Sequence, residues 1–251
     1  LFAGGESLLV PWDLPLARSL ATVGSMSAYE RYERSLFTCV KTIVQERGIR
    51  RVELSAALPY PVVRALLETL PGIGIECRQG GIDETVNVLR MIKDPGELEM
   101  LRRACGITDA LIAGIPDFLS RRSDASELEL AMYLETEARS RGAEGMGFDT
   151  IAASSRRSFA IHCFPSFTSE SIVVPGLSIL DFGVRFEGYT SDVTLTLAKA
   201  PLSSKQEAMV GAVQEAYDLA VSLCKPGTDP VSVGERVQCL FHTRGLPIPP
   251  S

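Results

Sequence analysis

The chain has no long basic run, and its 25 Lys and Arg are outnumbered by 31 Asp and Glu for a net charge of −6. A nucleic-acid partner, which needs a basic patch against its phosphates, is therefore disfavoured. No apolar stretch is long enough to span a bilayer, because the longest are broken by proline or charge. No charged-then-apolar leader opens the chain. None of the six cysteines (Cys39, Cys77, Cys105, Cys163, Cys224, Cys239) belongs to a Cys-x-x-Cys pair. A chain of this length needs no disulfide staples, so they are expected as reduced thiols in a cytoplasmic protein. Internal repeats and low-complexity tracts are absent, which removes the solenoids. Histidine is scarce: His162 and His242 only. His242 falls in the last amphipathic segment with nothing beside it to form a site, and is expected to be exposed.

What is present is the material of a globular protein, 45% apolar and 22% charged over 251 residues, enough for one large or two ordinary domains. Residues 1–90 alternate strand and helix. Ser7–Val10, Arg51–Leu54 and Gly74–Cys77 read as strands. Residues 28–48 place Tyr32, Leu36, Val40 and Ile43 on one helical face, and Pro61–Leu70 reads as a second helix. This βαβ order implies a sheet covered by helices. Asp94-Pro95-Gly96-Glu97 marks a boundary, with Asp94 as cap and Glu97 completing a capping box. The helix it starts is expected to run to about Ile112, with Leu98, Leu101, Ala104, Cys105 and Thr108 along one side. A second helix is expected after Asp124-Ala125-Ser126-Glu127, with Leu128, Met132 and Leu134 as apolar positions. Strands then fill 148–198, and helices over 204–223 and 231–243 follow. The absence of an initial Met and the stretch Pro247-Ile248-Pro249-Pro250-Ser251 are read as signs of a partial chain.

Two aspartates dominate the chemistry. Asp181 and Asp192 lie eleven positions apart in a run of β-branched and apolar residues with Glu187-Gly188 between them. If Phe186-Glu187 is the loop, residue 181 pairs with 192 and both carboxylates leave one sheet face, about 4.5–5.5 Å apart at Cβ. Two anions so placed repel unless a shared proton or a cation lies between them, and a hard divalent metal satisfies both. A longer loop with Gly188 left-handed slips the register by one and sends the aspartates to opposite faces, leaving two solvated acids on a surface hairpin.

Three stretches carry a resemblance. Asp181-Phe182-Gly183 with Gly188-Tyr189 and Ser191-Asp192-Val193-Thr194 resembles the metal-binding hairpin of the pita-bread metallopeptidases: aminopeptidase P, prolidase, methionine aminopeptidase and the metal-free creatinase. Phe148 to Ser154, followed by Ser158-Phe159-Ala160-Ile161-His162, is similar to the strand and loop bearing that family's first active-site histidine. Arg90 to Ala104 is similar to the segment joining the amino-terminal and catalytic domains of the aminopeptidase P and prolidase branch. Protein kinases also carry Asp-Phe-Gly, but no glycine-rich phosphate loop and no His-Arg-Asp loop accompany it here.

The resemblance implies an α/β (α+β) fold, with a small αβ creatinase-like amino-terminal domain over 1–90 and the first half of a pita-bread catalytic domain over 91–251. It implies that Asp181 binds one divalent metal, that Asp192 bridges two, and that His162 contacts substrate or the reacting centre. The plainer alternative for His162 is a loop histidine packed by Phe159 and Phe164. A catalytic pair of His162 with Cys163 is not expected, since strand neighbours point to opposite faces. The family completes its site with a histidine and two glutamates beyond residue 251, so this chain alone is expected to be inactive. The metal implied is manganese, with cobalt or zinc as alternatives. The reaction implied is hydrolysis of an N-terminal Xaa-Pro bond in a peptide, by a homodimer. A protein- or peptide-binding module without catalysis, or a creatinase-like amidinohydrolase, is the alternative. Thr194 and Tyr189 are expected near the site as support. One departure is Thr194-Leu195-Thr196, where many members have Thr-Arg-Thr.

Overall fold

Six of the eight α-helices among the described residues start on a side chain that accepts one of the first free backbone N–H groups. In the computed structural model, which describes residue 2 and residues 5–246, Asp94 Oδ1 accepts from Glu97 N at 2.9 Å and Glu97 Oε2 accepts from Asp94 N at 2.7 Å. Ser126 with Glu129 and Ser203 with Gln206 form the same reciprocal box. The reading of residues 247–251 lies outside the described residues.

The chain divides into two units, Leu1–Lys93 and Asp94–Ser251. The first contains α1 (Leu14–Leu20), α2 (Leu36–Glu46), β1 (Arg51–Glu53), α3 (Tyr60–Thr69), β2 (Gly74–Glu76) and α4 (Ile82–Met91). Strands β1 and β2 are parallel, Val52 opposite Ile75, and α3 is their crossover. Tyr32, Val44 and Leu66 are buried in this unit. Two expectations need correction. Residues 7–10 make only an isolated bridge, Leu9 with Met26. The helix expected over 28–48 is broken: a short 3-10 turn covers Tyr29–Tyr32, Glu33 and Arg34 take φ of +56° and +51°, and α2 starts afresh. Ser35 causes the restart, because its hydroxyl caps Thr38 N at 3.2 Å.

The second unit contains α5 (Pro95–Arg121), α6 (Glu127–Ser140), β3 (Gly145–Met146), β4 (Ile151–Ala153), β5 (Gly176–Phe182), β6 (Val184–Phe186), β7 (Tyr189–Thr190), β8 (Val193–Lys199), α7 (Ser204–Leu223) and α8 (Pro230–Thr243). The strands form two antiparallel sheets, in the orders β4-β5-β8 and β3-β6-β7. Helix α5 does not stop near Ile112 but runs through Pro116 to Arg121. An interior proline costs about 3 kcal/mol. Burying Leu111 and Ile115 on either side of the expected stop offsets this, at roughly 1.5–3 kcal/mol each.

The buried face of α5 is Ala104, Thr108, Leu111 and Ile115, while Leu98 and Cys105 are exposed. On α6 the core residues are Leu130, Ala131, Leu134 and Ala138; Leu128 and Met132 face out. Burial alternates along β5. Ser178, Leu180 and Phe182 are buried, the last two in the core with residues of α5 and α6, and Leu177, Ile179 and Asp181 take the other, more open face. Among the described residues no helix is long and apolar enough to cross a membrane.

Candidate functional site

The hairpin that carries the aspartates turns at Glu187-Gly188, with φ of +46° and +81°. Positive φ at both positions is the requirement of a type I′ turn, which glycine meets without strain. Phe186 therefore pairs with Tyr189, and farther down Asp181 pairs with Thr194, not with Asp192. The register differs from the expected pairing by two residues. An even shift keeps parity, so Asp192 stays on the face of Thr194 and Asp181. The carboxylates become diagonal neighbours, a relation with a spacing of about 7–8 Å between residues.

A kink separates the two arms of this hairpin. Val184 N–H donates to Ser191 Oγ at 3.0 Å, and Ser191 N–H donates to Val184 O at 3.0 Å. A Cβ on Gly183 would overlap the Ser191 carbonyl, so only glycine permits this approach. Ser191 is buried and its hydroxyl also lies 2.7 Å from Thr108 Oγ1 of α5. The kink is thus tied to the helix beneath it, and Asp192 follows immediately.

Asp181, Asp192, His162, Cys163 and Asp149 line one cavity of about 500 Å³, with Phe148, Ile151, Phe164 and Ser166. Three carboxylates and no lysine or arginine face it, a field that favours cations. Among the described residues neither the Asp181 nor the Asp192 carboxylate has a hydrogen bond or an ion pair. A carboxylate pair without donors is the donor set of a hard divalent cation, and in this respect the residues fit a metal. They fit it in part, since no cluster of three or more His, Cys, Asp or Glu suited to a metal occurs among the described residues. Asp149 stands in the Phe148–Ser154 stretch but was not singled out from sequence. Its one signal is an acid directly before the buried Thr150-Ile151-Ala152-Ala153 strand segment.

His162 lies in a turn between β4 and β5, exposed at the cavity and with no hydrogen bond among the described residues. Phe159 and Phe164 are 89% and 93% exposed, so the alternative of a histidine packed between two rings does not hold. The strand argument that separated His162 from Cys163 also fails, because both sit in irregular chain and line the same cavity. Cys163 is buried, with Arg157 Nη2 3.0 Å from its sulfur. Thr194 shares the open face but makes no hydrogen bond to either aspartate. Tyr189 is turned elsewhere: its hydroxyl donates to Glu97 Oε1 at 3.0 Å, bracing the hairpin tip on the start of α5.

Sequence reasoning missed Glu127, the first residue of α6, which is fully buried. Its Oε1 accepts from Ser154 N at 2.7 Å, and its Oε2 accepts from Thr168 N at 2.9 Å, from Thr168 Oγ1 at 2.7 Å and from Arg157 Nη1. Burial works to raise its pKa, but the Ser154 N–H, Thr168 and the Arg157 charge outweigh that and hold the carboxyl below the usual carboxylate range. Nothing local signals this role, since an acid in a first helical turn is ordinary.

The sequence profile of metallopeptidase family M24 matches residues 99–249. The chain is 30% identical over 181 residues to the Xaa-Pro dipeptidase of Pyrococcus horikoshii, covering 72% of this chain and 49% of that protein. It is 31% identical over 145 residues to the putative dipeptidase YkvY of Bacillus subtilis, covering 58% of this chain and 39% of that protein. The match thus spans less than half the length of either relative. Among solved structures, the Xaa-Pro dipeptidase from Bacillus anthracis superposes with a TM-score of 0.84 at 26% identity, over 96% of this chain and 64% of that one. The X-Pro aminopeptidase from Thermotoga maritima superposes with a TM-score of 0.79 at 23% identity, over 96% of this chain and 66% of that one, and shares the fold.

Proposed function

The chain belongs to metallopeptidase family M24, and from that premise we propose that it carries part of the active site of an Xaa-Pro peptidase, one that hydrolyses the N-terminal amide before proline. The observation that carries this reading is the placement of Asp181 and Asp192 on one cation-favouring cavity, without a basic partner, beside His162. The relative named as an Xaa-Pro dipeptidase supports the substrate class. Asp181 and Asp192 would hold divalent metal, manganese by preference and cobalt or zinc as alternatives. Divalent metal, when bound, supplies water activation and carbonyl polarisation.

The protein's own residues do the rest. The acidic cavity attracts the metal and can attract the ammonium terminus of a peptide. His162, whose imidazole has no hydrogen bond among the described residues, donates a hydrogen bond to substrate or carries a proton at its imidazole. Two carboxylates make a weak, hydrated cation site. We therefore read the isolated 251-residue polypeptide as inactive until further ligands join it. The first unit we read as the creatinase-like amino-terminal domain. The free state of all six cysteines supports a reducing, cytoplasmic setting.

The test is release of free proline from Xaa-Pro dipeptides by the full-length protein with Mn²⁺, with and without a chelator. Chelator-sensitive release that falls about a thousandfold in Asp192→Asn, the worth of several kcal/mol of transition-state stabilisation, is the expected result. Peptide binding without turnover in the metal-loaded protein would replace the enzyme reading with a binding module.

A further inference from the structure

We infer that Glu127 and Arg157 are positioning residues for His162, clamping the loop that carries it; this rests on the role of His162 proposed above. The loop leaves β4 at Ser154 and passes Thr168 before returning to β5. Both of those points are fastened to one carboxylate. Glu127 Oε1 takes the Ser154 N–H at 2.7 Å, and Oε2 takes Thr168 N–H at 2.9 Å and its hydroxyl at 2.7 Å. The clamp is anchored in turn, because Glu127 begins α6 and its own N–H donates to Glu170 O at 2.9 Å.

Arg157 carries the clamp into the middle of the loop. Its Nη1 is bound by Glu127, while Nη2 reaches Cys163 Sγ at 3.0 Å and the Pro165 carbonyl. These are the residues one and three places after His162. The guanidinium therefore spans the turn from before the histidine to after it. His162 has no hydrogen bond of its own among the described residues, and the aromatic side chains nearest in sequence are exposed. Its place at the cavity is set by the backbone that bears it, and that backbone is set by Glu127 and Arg157. Arginine suits the task because its planar fork fixes two directions at once, which lysine's single ammonium does not.

The experiment uses full-length, metal-loaded protein and Arg157→Lys, which keeps a cation beside Glu127 but loses the second arm of the fork. Displacing a reacting group by about 1 Å costs on the order of 10²-fold, so kcat on an Xaa-Pro dipeptide is expected to fall about 10- to 100-fold. Bound metal and KM should stay near wild type. In a His162→Ala background the same substitution should cost less than about twofold more, since no imidazole is left to misplace. Fully additive losses, or an undiminished kcat in Arg157→Lys, overturn the inference. Thr168→Val is the milder variant should Arg157→Lys fail to fold; it removes one donor, and the same comparison with His162→Ala applies.

Absence of Xaa-Pro turnover in the wild-type protein would defeat the proposed activity and leave the clamp to be decided by NMR. The ring signals of His162, assigned through His162→Ala, are expected to shift in Arg157→Lys while those of His242 hold. Unmoved His162 signals overturn it.

Discussion

Glu127 and the pair Asp181/Asp192 are carboxylates of one unit with opposite surroundings. Glu127 is fully buried and receives four donors, one of them the Arg157 guanidinium. Asp181 and Asp192 face a cavity and receive none among the described residues. A carboxylate saturated from within holds chain segments together, and its loss leaves donors stranded. A carboxylate pair left unsaturated repels itself until something from outside arrives. Acidity alone does not tell the two apart; the donors around each group do.

The largest effect should come from Glu127→Ala. It leaves the Arg157 charge and three further donors without their partner, a loss of about 3–5 kcal/mol by the cost of breaking a buried pair. Urea unfolding measures it. A loss below about 1 kcal/mol would show that water replaces the carboxylate and would erase the contrast with the cavity pair. Acid should act the same way. The folded pKa of Glu127 lies below its unfolded value, so its contribution is present above the unfolded value of about 4.3 and is lost as pH falls through the folded one. Melting temperatures from pH 7 to 3 should fall less steeply in Glu127→Gln than in wild type over the acid end.

Next in size is Gly183→Ala. The added methyl meets the Ser191 backbone carbonyl, which cannot step aside as a flexible side chain would. A loss of about 3 kcal/mol, the upper end for overpacking, is expected in thermal unfolding. Cation binding should weaken with it, because the kink sets where Asp192 emerges. A variant as stable as wild type would show that the hairpin relaxes.

The smallest effect should be Asp181→Asn in the presence of chelator. No side-chain partner among the described residues is lost and one repulsion is removed, so stability should change by less than about 1 kcal/mol, toward stabilisation. A large loss would mean that Asp181 is a structural acid like Glu127.

Local signals carried the starts of α5, α6 and α7 but not that of α2. The Asp94–Glu97 box and the turn at Glu187-Gly188 are legible because each is set within four residues. The register of the hairpin was not legible, even in its parity: a Phe186-Glu187 loop and a longer loop with Gly188 left-handed put the aspartates on the same and on opposite faces, and the loop formed at Glu187-Gly188 depends on Glu187 accepting a positive φ. The length of α5 was not legible, because burial of Leu111 and Ile115 against residues seventy positions away overrides Pro116. Glu127 was invisible for the same reason: its partners Ser154, Arg157 and Thr168 lie 27 to 41 positions downstream. The cavity residues Asp181, Asp192 and His162 were found by pattern, whereas Asp149 needed the fold to place it beside them.

The most direct measurement is Mn²⁺ binding to the full-length protein, followed by the electron paramagnetic resonance signal of the free ion. The wild-type protein and Glu127→Gln should both remove Mn²⁺ saturably from solution, and Asp192→Asn should not. Undiminished binding in Asp192→Asn, or binding lost in a folded Glu127→Gln, would contradict the division between a carboxylate that holds the chain and a pair kept open for a cation.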